Sequence, residues 1–163
     1  MKNLILLFGF FFTSFVLAAE EGRLAPDFKA PLWNNQIFSL SEAKGQVVIV
    51  HFWATWCAAC KIEMPALEAY FKKHRAEGLR IIALSLDTVK DERMVRDLMK
   101  KYSFEGGMAK KDSYKAYGRI WKLPLTFVID RAGILQKDGW NLDHELGEGD
   151  LEKVVTPLLK VGR

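Results

Sequence analysis

Val47 to Trp53 is a run of seven residues with one polar member, His51, and with β-branched or aromatic side chains at every other position. A run this short, uniformly apolar and rich in β-branched residues reads as a strand buried on both faces. It is followed at Ala58 to Arg75 by a helical pattern and at Leu79 to Leu86 by a second apolar strand. Two such strands joined through a helix form a parallel, right-handed unit. Strands apolar on both sides also require cover on both faces of the sheet. The chain is thereby committed to the α/β class, and its 163 residues supply one domain with a substantial core.

The other elements are read around that unit. Arg23 to Asn35, with Pro26 and Pro31, reads as loop, and Gln36 to Leu40 as a short strand. Asp91 is placed to cap a helix running to Lys101, with Met94, Val95, Leu98, Met99 and Tyr102 on one face. Phe104 to Lys111 is short and carries Gly106-Gly107, which weakens a strand, so an edge strand there is expected to be missing. Leu125 to Ile129 and Ile134 to Lys137 form a hairpin whose turn uses Gly133. A last helix spans Asp150 to Leu159, kinked or shortened by Pro157.

Both cysteines of the chain, Cys57 and Cys60, stand two residues apart at the handover from strand to helix. Unpaired N–H groups and the positive end of the helix dipole favour thiolate there, which marks Cys57 as a nucleophile. Cys60, one turn inward, is placed to attack a mixed disulfide formed on Cys57 and so close a dithiol–disulfide cycle. Three plainer uses compete. A structural bridge across so short a loop contributes only roughly 2 kcal/mol by the chain-entropy relation. A zinc site needs two further ligands, and His51, His74 and His144 lack ligand spacing to the pair. A copper(I) carrier is the stronger rival, because two soft thiolates select that ion.

Lys2 followed by the apolar stretch Leu4 to Leu17 and by Val16-Leu17-Ala18 reads as a secretory signal peptide over residues 1–18, leaving a domain of 19–163. The stretch falls short of the roughly 20 residues that span a bilayer, although an uncleaved anchor is the other reading. A periplasmic location is expected, and it makes a dithiol enzyme dependent on an external redox partner. The net charge is +4, with both signs interspersed, which argues against nucleic-acid binding. Lys72-Lys73 and Lys110-Lys111 read as solvated faces. His74, near a helix end, reads as exposed, and His144 has no evident partner.

The motifs Ala25-Pro26-Asp27-Phe28, Phe52-Trp53-Ala54-Thr55-Trp56-Cys57, Glu63-Met64-Pro65, Tyr117-Gly118, Leu123-Pro124 and Phe127-Val128-Ile129-Asp130 occur in one order along the chain. Together they resemble the thioredoxin superfamily, and within it the exported TlpA/ResA-like thiol-disulfide oxidoreductases, which include cytochrome c maturation proteins. The resemblance implies a thioredoxin-like α/β fold, a central mixed β-sheet flanked by helices on both faces. It implies a cis Leu123-Pro124 bond beside the cysteines, exposing backbone to an extended substrate peptide, and a helix-kinking role for Pro65. It further implies a reductant of protein disulfides, for which apocytochrome c is the expected target class. The enzyme would be a monomer with no cofactor beyond its own cysteine pair, recharged by a membrane thiol-disulfide reductant.

Glu63 matches a glutamate of the reducing branch. It is expected either to exchange a proton with the Cys60 sulfur or simply to favour the first helical turns. His51 stands where relatives carry aspartate or asparagine, as a core residue or as a proton relay under Cys60. Trp56 is expected to form an apolar platform for substrate at the rim, or to pack, and Trp53 to lie in the core. Ala58-Ala59 lacks the histidine found between the cysteines of strong oxidants, which argues for reduction, although a disulfide-forming oxidant would use the same residues.

Overall fold

A computed structural model describes residues 19–161; the expected signal peptide at 1–18 lies outside the described residues. The strand-helix-strand unit is present as β3 (Val47–Trp53), α1 (Ala58–His74) and β4 (Leu79–Ser85), after a short hairpin of β1 (Lys29–Pro31) and β2 (Ile37–Ser39). Beyond it follow α2 (Glu92–Met99), β5 (Glu105–Met108), α3 (Lys111–Tyr114), β6 (Leu125–Ile129), β7 (Leu135–Lys137), α4 (Glu148–Val154) and α5 (Thr156–Lys160). Five strands form one sheet in the order β5-β4-β3-β6-β7. β3 runs parallel to β4, and β4 to β5, whereas β6 and β7 run antiparallel to their neighbours, so the sheet is mixed.

All seven residues of β3 are buried, as its uninterrupted apolar run requires. Alternate residues feed two cores. Val47, Ile49 and Trp53 pack with Met64, Leu67 and Tyr70 of α1, with Val95 of α2 and with Leu151 and Leu159 of the C-terminal helices. Val48, Val50 and Phe52 face the opposite way, onto Phe28, Phe38, Tyr117 and Phe127. His51 shares the α1 side with Val47, Ile49 and Trp53, and it is fully buried.

Several expectations are corrected. Arg23 to Asn35 is not all loop: Lys29–Pro31 pairs antiparallel with Ile37–Ser39, a contact made across a turn rather than within a local pattern. The edge strand expected to be missing is present as β5, paired with β4. Its glycines answer to close approach. A Cβ on Gly107 would sit 2.3 Å from the Pro31 carbonyl oxygen, and one on Gly106 would meet the Trp33 ring at 2.8 Å. The Trp33 N–H donates to the Gly106 carbonyl at 3.0 Å, so the N-terminal segment seals this edge.

Asp91 precedes α2, but its side chain caps nothing there; it accepts instead from the Thr88 hydroxyl at 2.6 Å. Of the expected α2 face, Val95 and Met99 are buried and Met94 is exposed. Pro157 does more than shorten the last helix: it opens a separate one, α5, one residue beyond α4. Gly133 takes φ of +85° in the β6-β7 turn as expected. The β7 edge is closed by the same N-terminal segment. The Gly22 N–H donates to Leu135, the Leu135 N–H to Arg23 and the Ala25 N–H to Gly133.

Candidate active site

β3 delivers the chain to Ala54, and a short loop passes it to α1. That loop is pinned by a residue from the end of β4. The Thr55 N–H donates to Asp87 Oδ2 at 2.8 Å and the Thr55 hydroxyl to Oδ1 at 2.6 Å. The Ser85 hydroxyl donates to the same carboxylate at 2.6 Å. The Leu86 N–H donates to the Trp53 carbonyl at 2.8 Å and fixes the two strand ends together. Cys57 is the N-cap of α1: its Sγ accepts the Cys60 N–H at 3.1 Å. The two cysteines form a disulfide, with Cys57 at the surface end and Cys60 wholly enclosed. An external sulfur therefore meets Cys57 before Cys60.

Cys57 opens onto a groove of about 400 Å³ formed by Trp56, Leu86, Ile120, Trp121, Lys122 and Leu123. Two large indoles stand at its rim, Trp56 at 70% and Trp121 at 77% exposure. Exposure so high on such apolar side chains marks a contact surface. Trp121 is propped from behind by the Trp140 ring, stacked with centroids 5.8 Å apart. The Trp140 indole N–H is itself tied to the Tyr117 carbonyl at 2.7 Å. Lys122 Nζ donates to the Trp140 and Leu142 carbonyls, both at 2.9 Å. The Leu123-Pro124 bond is cis. Leu123 lines the groove with Cys57, and Pro124 lines an adjoining cleft with Ala59, Glu63 and Thr126.

Glu63, on α1, is buried, and both of its oxygens are occupied. Oε1 accepts the Thr126 hydroxyl at 2.5 Å, and Oε2 accepts the Leu146 N–H at 3.2 Å. Since the Thr126 proton goes to Glu63, Thr126 Oγ1 accepts from His51 Nδ1 at 2.9 Å, which assigns the Nδ1–H form of the ring. His51 Nδ1 also lies 3.4 Å from Glu63 Oε1. Burial pushes the Glu63 carboxyl up, but the nearby His51 ring, the Thr126 hydroxyl and the Leu146 N–H together outweigh it and hold the group below its ordinary 4.5. Glu63 is thus ionised at neutral pH although enclosed. His51 Nε2 is buried without a hydrogen-bond partner.

The structure brings together Cys57, Cys60, Trp56, Leu123, Pro124 and, under α1, Glu63 and His51. Glu63, which the plainer expectation left only to favour the first helical turns, is enclosed. His51 is placed by its one bond to Thr126 and its approach to Glu63. Trp53 is core. His74, expected to be exposed, is buried: its ring packs on Tyr70 at 4.3 Å, and Nδ1 bonds to Glu77 at 2.9 Å. His144 has partners after all, Asp143 at 2.6 Å and Asp150 at 3.6 Å. Among the described residues no group of three or more His, Cys, Asp or Glu stands together as a metal cage, and no helix is long and apolar enough to cross a membrane. The sequence reading missed Asp87, Thr126 and Trp121. Trp121 alone carried a local signal, as an aromatic in the loop just before Leu123-Pro124.

Residues 22–138 match the AhpC/TSA family. The chain is 34% identical over 119 residues to the thioredoxin-like protein YneN of Bacillus subtilis, covering 72% of this chain and 69% of that one. It is 32% identical over 138 residues to the thiol-disulfide oxidoreductase ResA of Bacillus cereus, with 83% and 79% covered. Its fold is similar to the crystal structure of a thioredoxin-family thiol:disulfide interchange protein from Chlorobium tepidum, with a TM-score of 0.74, 25% identity and 87% and 99% of the two chains covered.

Proposed function

This chain belongs to the AhpC/TSA family, has a thioredoxin-like fold and is a thiol-disulfide oxidoreductase, and from that footing we propose that it is an exported reductant of protein disulfides. The observation that carries the reading is the asymmetry of the pair, with Cys57 opening on an aromatic groove and Cys60 sealed beneath it. In the dithiol state the Cys57 thiolate attacks one sulfur of a substrate disulfide. A mixed disulfide forms, and the other substrate sulfur leaves as a thiolate. Cys60 then loses its proton and attacks Cys57 Sγ. The Cys57–Cys60 bond closes, the second substrate sulfur is released, and two electrons have passed to the substrate.

Glu63, ionised and one turn beyond Cys60 on α1, is the group that takes the Cys60 proton in this scheme. His51 and Thr126 act through it, holding the carboxylate in one orientation. Trp56 and Leu123-Pro124 bind the substrate segment. Absence of a cationic residue between the cysteines gives the thiolate less stabilisation than in strong oxidants, which supports reduction over disulfide formation. A membrane thiol-disulfide reductant recharges the pair, and apocytochrome c cysteines are the target class. Residues 1–18 direct export to the periplasm, and residues 19–163 are the working domain.

Redox equilibration of residues 19–163 against graded thiol:disulfide buffers, read by thiol trapping, tests direction. A potential near thioredoxin's, about −270 mV, is expected, whereas one near −120 mV would make the protein an oxidant.

A further inference from the structure

Three hollows run side by side across the face that carries Cys57, and they differ in charge. The aromatic groove holding Cys57 shares Ile120 with a hollow lined by Lys111, Lys115 and Arg119. On its other side it shares Ala59, Lys122 and Leu123 with the cleft of Pro124, lined by Asp143, His144 and Glu145. The sequence shows how sharp the division is. Residues 110–122 carry five basic side chains and one acid, an excess equal to the net charge of the whole chain, +4. Residues 143–150 carry four acids and no lysine or arginine.

The basic side is available. Lys111, Lys115 and Arg119 are exposed, and among the described residues none of the three forms an ion pair. Some other surface cations are matched, Lys72 with Glu68, Arg80 with Glu105, Arg96 with Glu92 and Lys100 with Asp97, and others such as Lys44, Lys61 and Lys90 are not, so what sets these three apart is their clustering in one hollow beside the Cys57 groove. On the acidic side Asp143 and Glu145 are exposed, and Asp143 is bonded to His144. Between the two lies a rigid apolar step, since Trp121 is held by Trp140 and Lys122 is tied down by two carbonyls. A surface set in advance in this way loses little freedom on binding.

We propose that this graded face selects its substrate by charge order: the occupant is an extended segment of a disulfide-bearing protein with carboxylates on one flank of the target cysteine, an apolar residue against the indoles, and cationic side chains on the other flank. The inference rests on the reading of Cys57 as the attacking thiol. Charge complementarity of this kind raises the encounter rate and fixes the register of the docked segment. Here it would set which end of the segment points toward Lys111, Lys115 and Arg119.

The test uses two synthetic peptides of identical composition and net charge, each with one internal disulfide. One carries three aspartates before the disulfide and three lysines after it, and the other has the reverse order; a third has neutral flanks. Pre-reduced protein is mixed with each, and its oxidation is followed by thiol trapping. One order is expected to react about tenfold faster than the other at low salt. The difference should collapse near 1 M salt, where the screening length is about 3 Å. The triple variant K111E/K115E/R119E should lose the order preference and react with the two orders at equal rates. Trp121→Ala should slow all peptides several-fold and leave the ratio between the two orders in place. Equal rates for the two orders, or a preference that survives the triple variant, would overturn the proposal. A neutral peptide that wild-type protein fails to reduce would instead overturn the thiol-disulfide reading of Cys57.

Discussion

Cys57 and Cys60 have separate duties that single substitutions pull apart. Cys57→Ser should abolish turnover of a protein disulfide such as that of insulin. Cys60→Ser should instead accumulate a mixed disulfide with substrate, visible as a reductant-sensitive gel shift. Residual turnover in the Cys57 variant would refute the assignment. Glu63 carries a second pair of expectations. Glu63→Gln keeps the shape but removes the base, and should slow resolution of the mixed disulfide by about 10²-fold. Because the folded carboxyl is held below its unfolded value, its stabilising contribution is present above pH about 4.5 and is lost as pH falls through the depressed value. The stability gap between wild type and Glu63→Gln, read by urea unfolding, should therefore be constant near neutrality and shrink below about pH 4. A gap that widened on acidification would mean the sign of the shift is wrong.

At the scale of elements, what the sequence disclosed depended on whether the cause was local. β3, β4 and α1 were legible because their periodicity reports burial by their own neighbours. β1 was hidden because three residues ending in Pro31 become a strand only by pairing with β2 across a turn. β5 was misread for a physical reason: Gly106 and Gly107 lower strand propensity, yet they are there to let Pro31 and Trp33 approach. Substituting that space tests the account. Gly107→Val should push the β1 segment off β5 and cost about 1–3 kcal/mol, a fall of about 2–4 °C in Tm for each kcal/mol in a chain of this size. An unchanged Tm would show that the hairpin yields freely. The site divides along the same line. The cysteines, Glu63 and Pro124 were readable as motifs, whereas Asp87 is 32 residues from Thr55 and Thr126 is 63 from Glu63, distances only the fold closes.

For the whole molecule, stability lies in the two cores on either side of the sheet rather than in the disulfide. A bridge closing so short a loop stabilises by roughly 2 kcal/mol. Reduction should leave the far-ultraviolet spectrum unchanged and lower Tm by about 4–8 °C; unfolding on reduction would make the bridge a structural staple.

One segment has a bearing on the company this protein keeps. Residues 22–25 bond along β7, and Pro31 to Trp33 lie along β5, so a single stretch of chain binds both margins of the sheet like tape along the two sides of a page. Unpaired margins are templates for any extended polypeptide. A protein whose substrates are disulfide-bearing polypeptides would otherwise risk being joined by them, strand upon strand. With both margins of the five-stranded sheet lined in this way, adding a strand to that sheet is disfavoured, and the face that carries Cys57 stays open to a substrate.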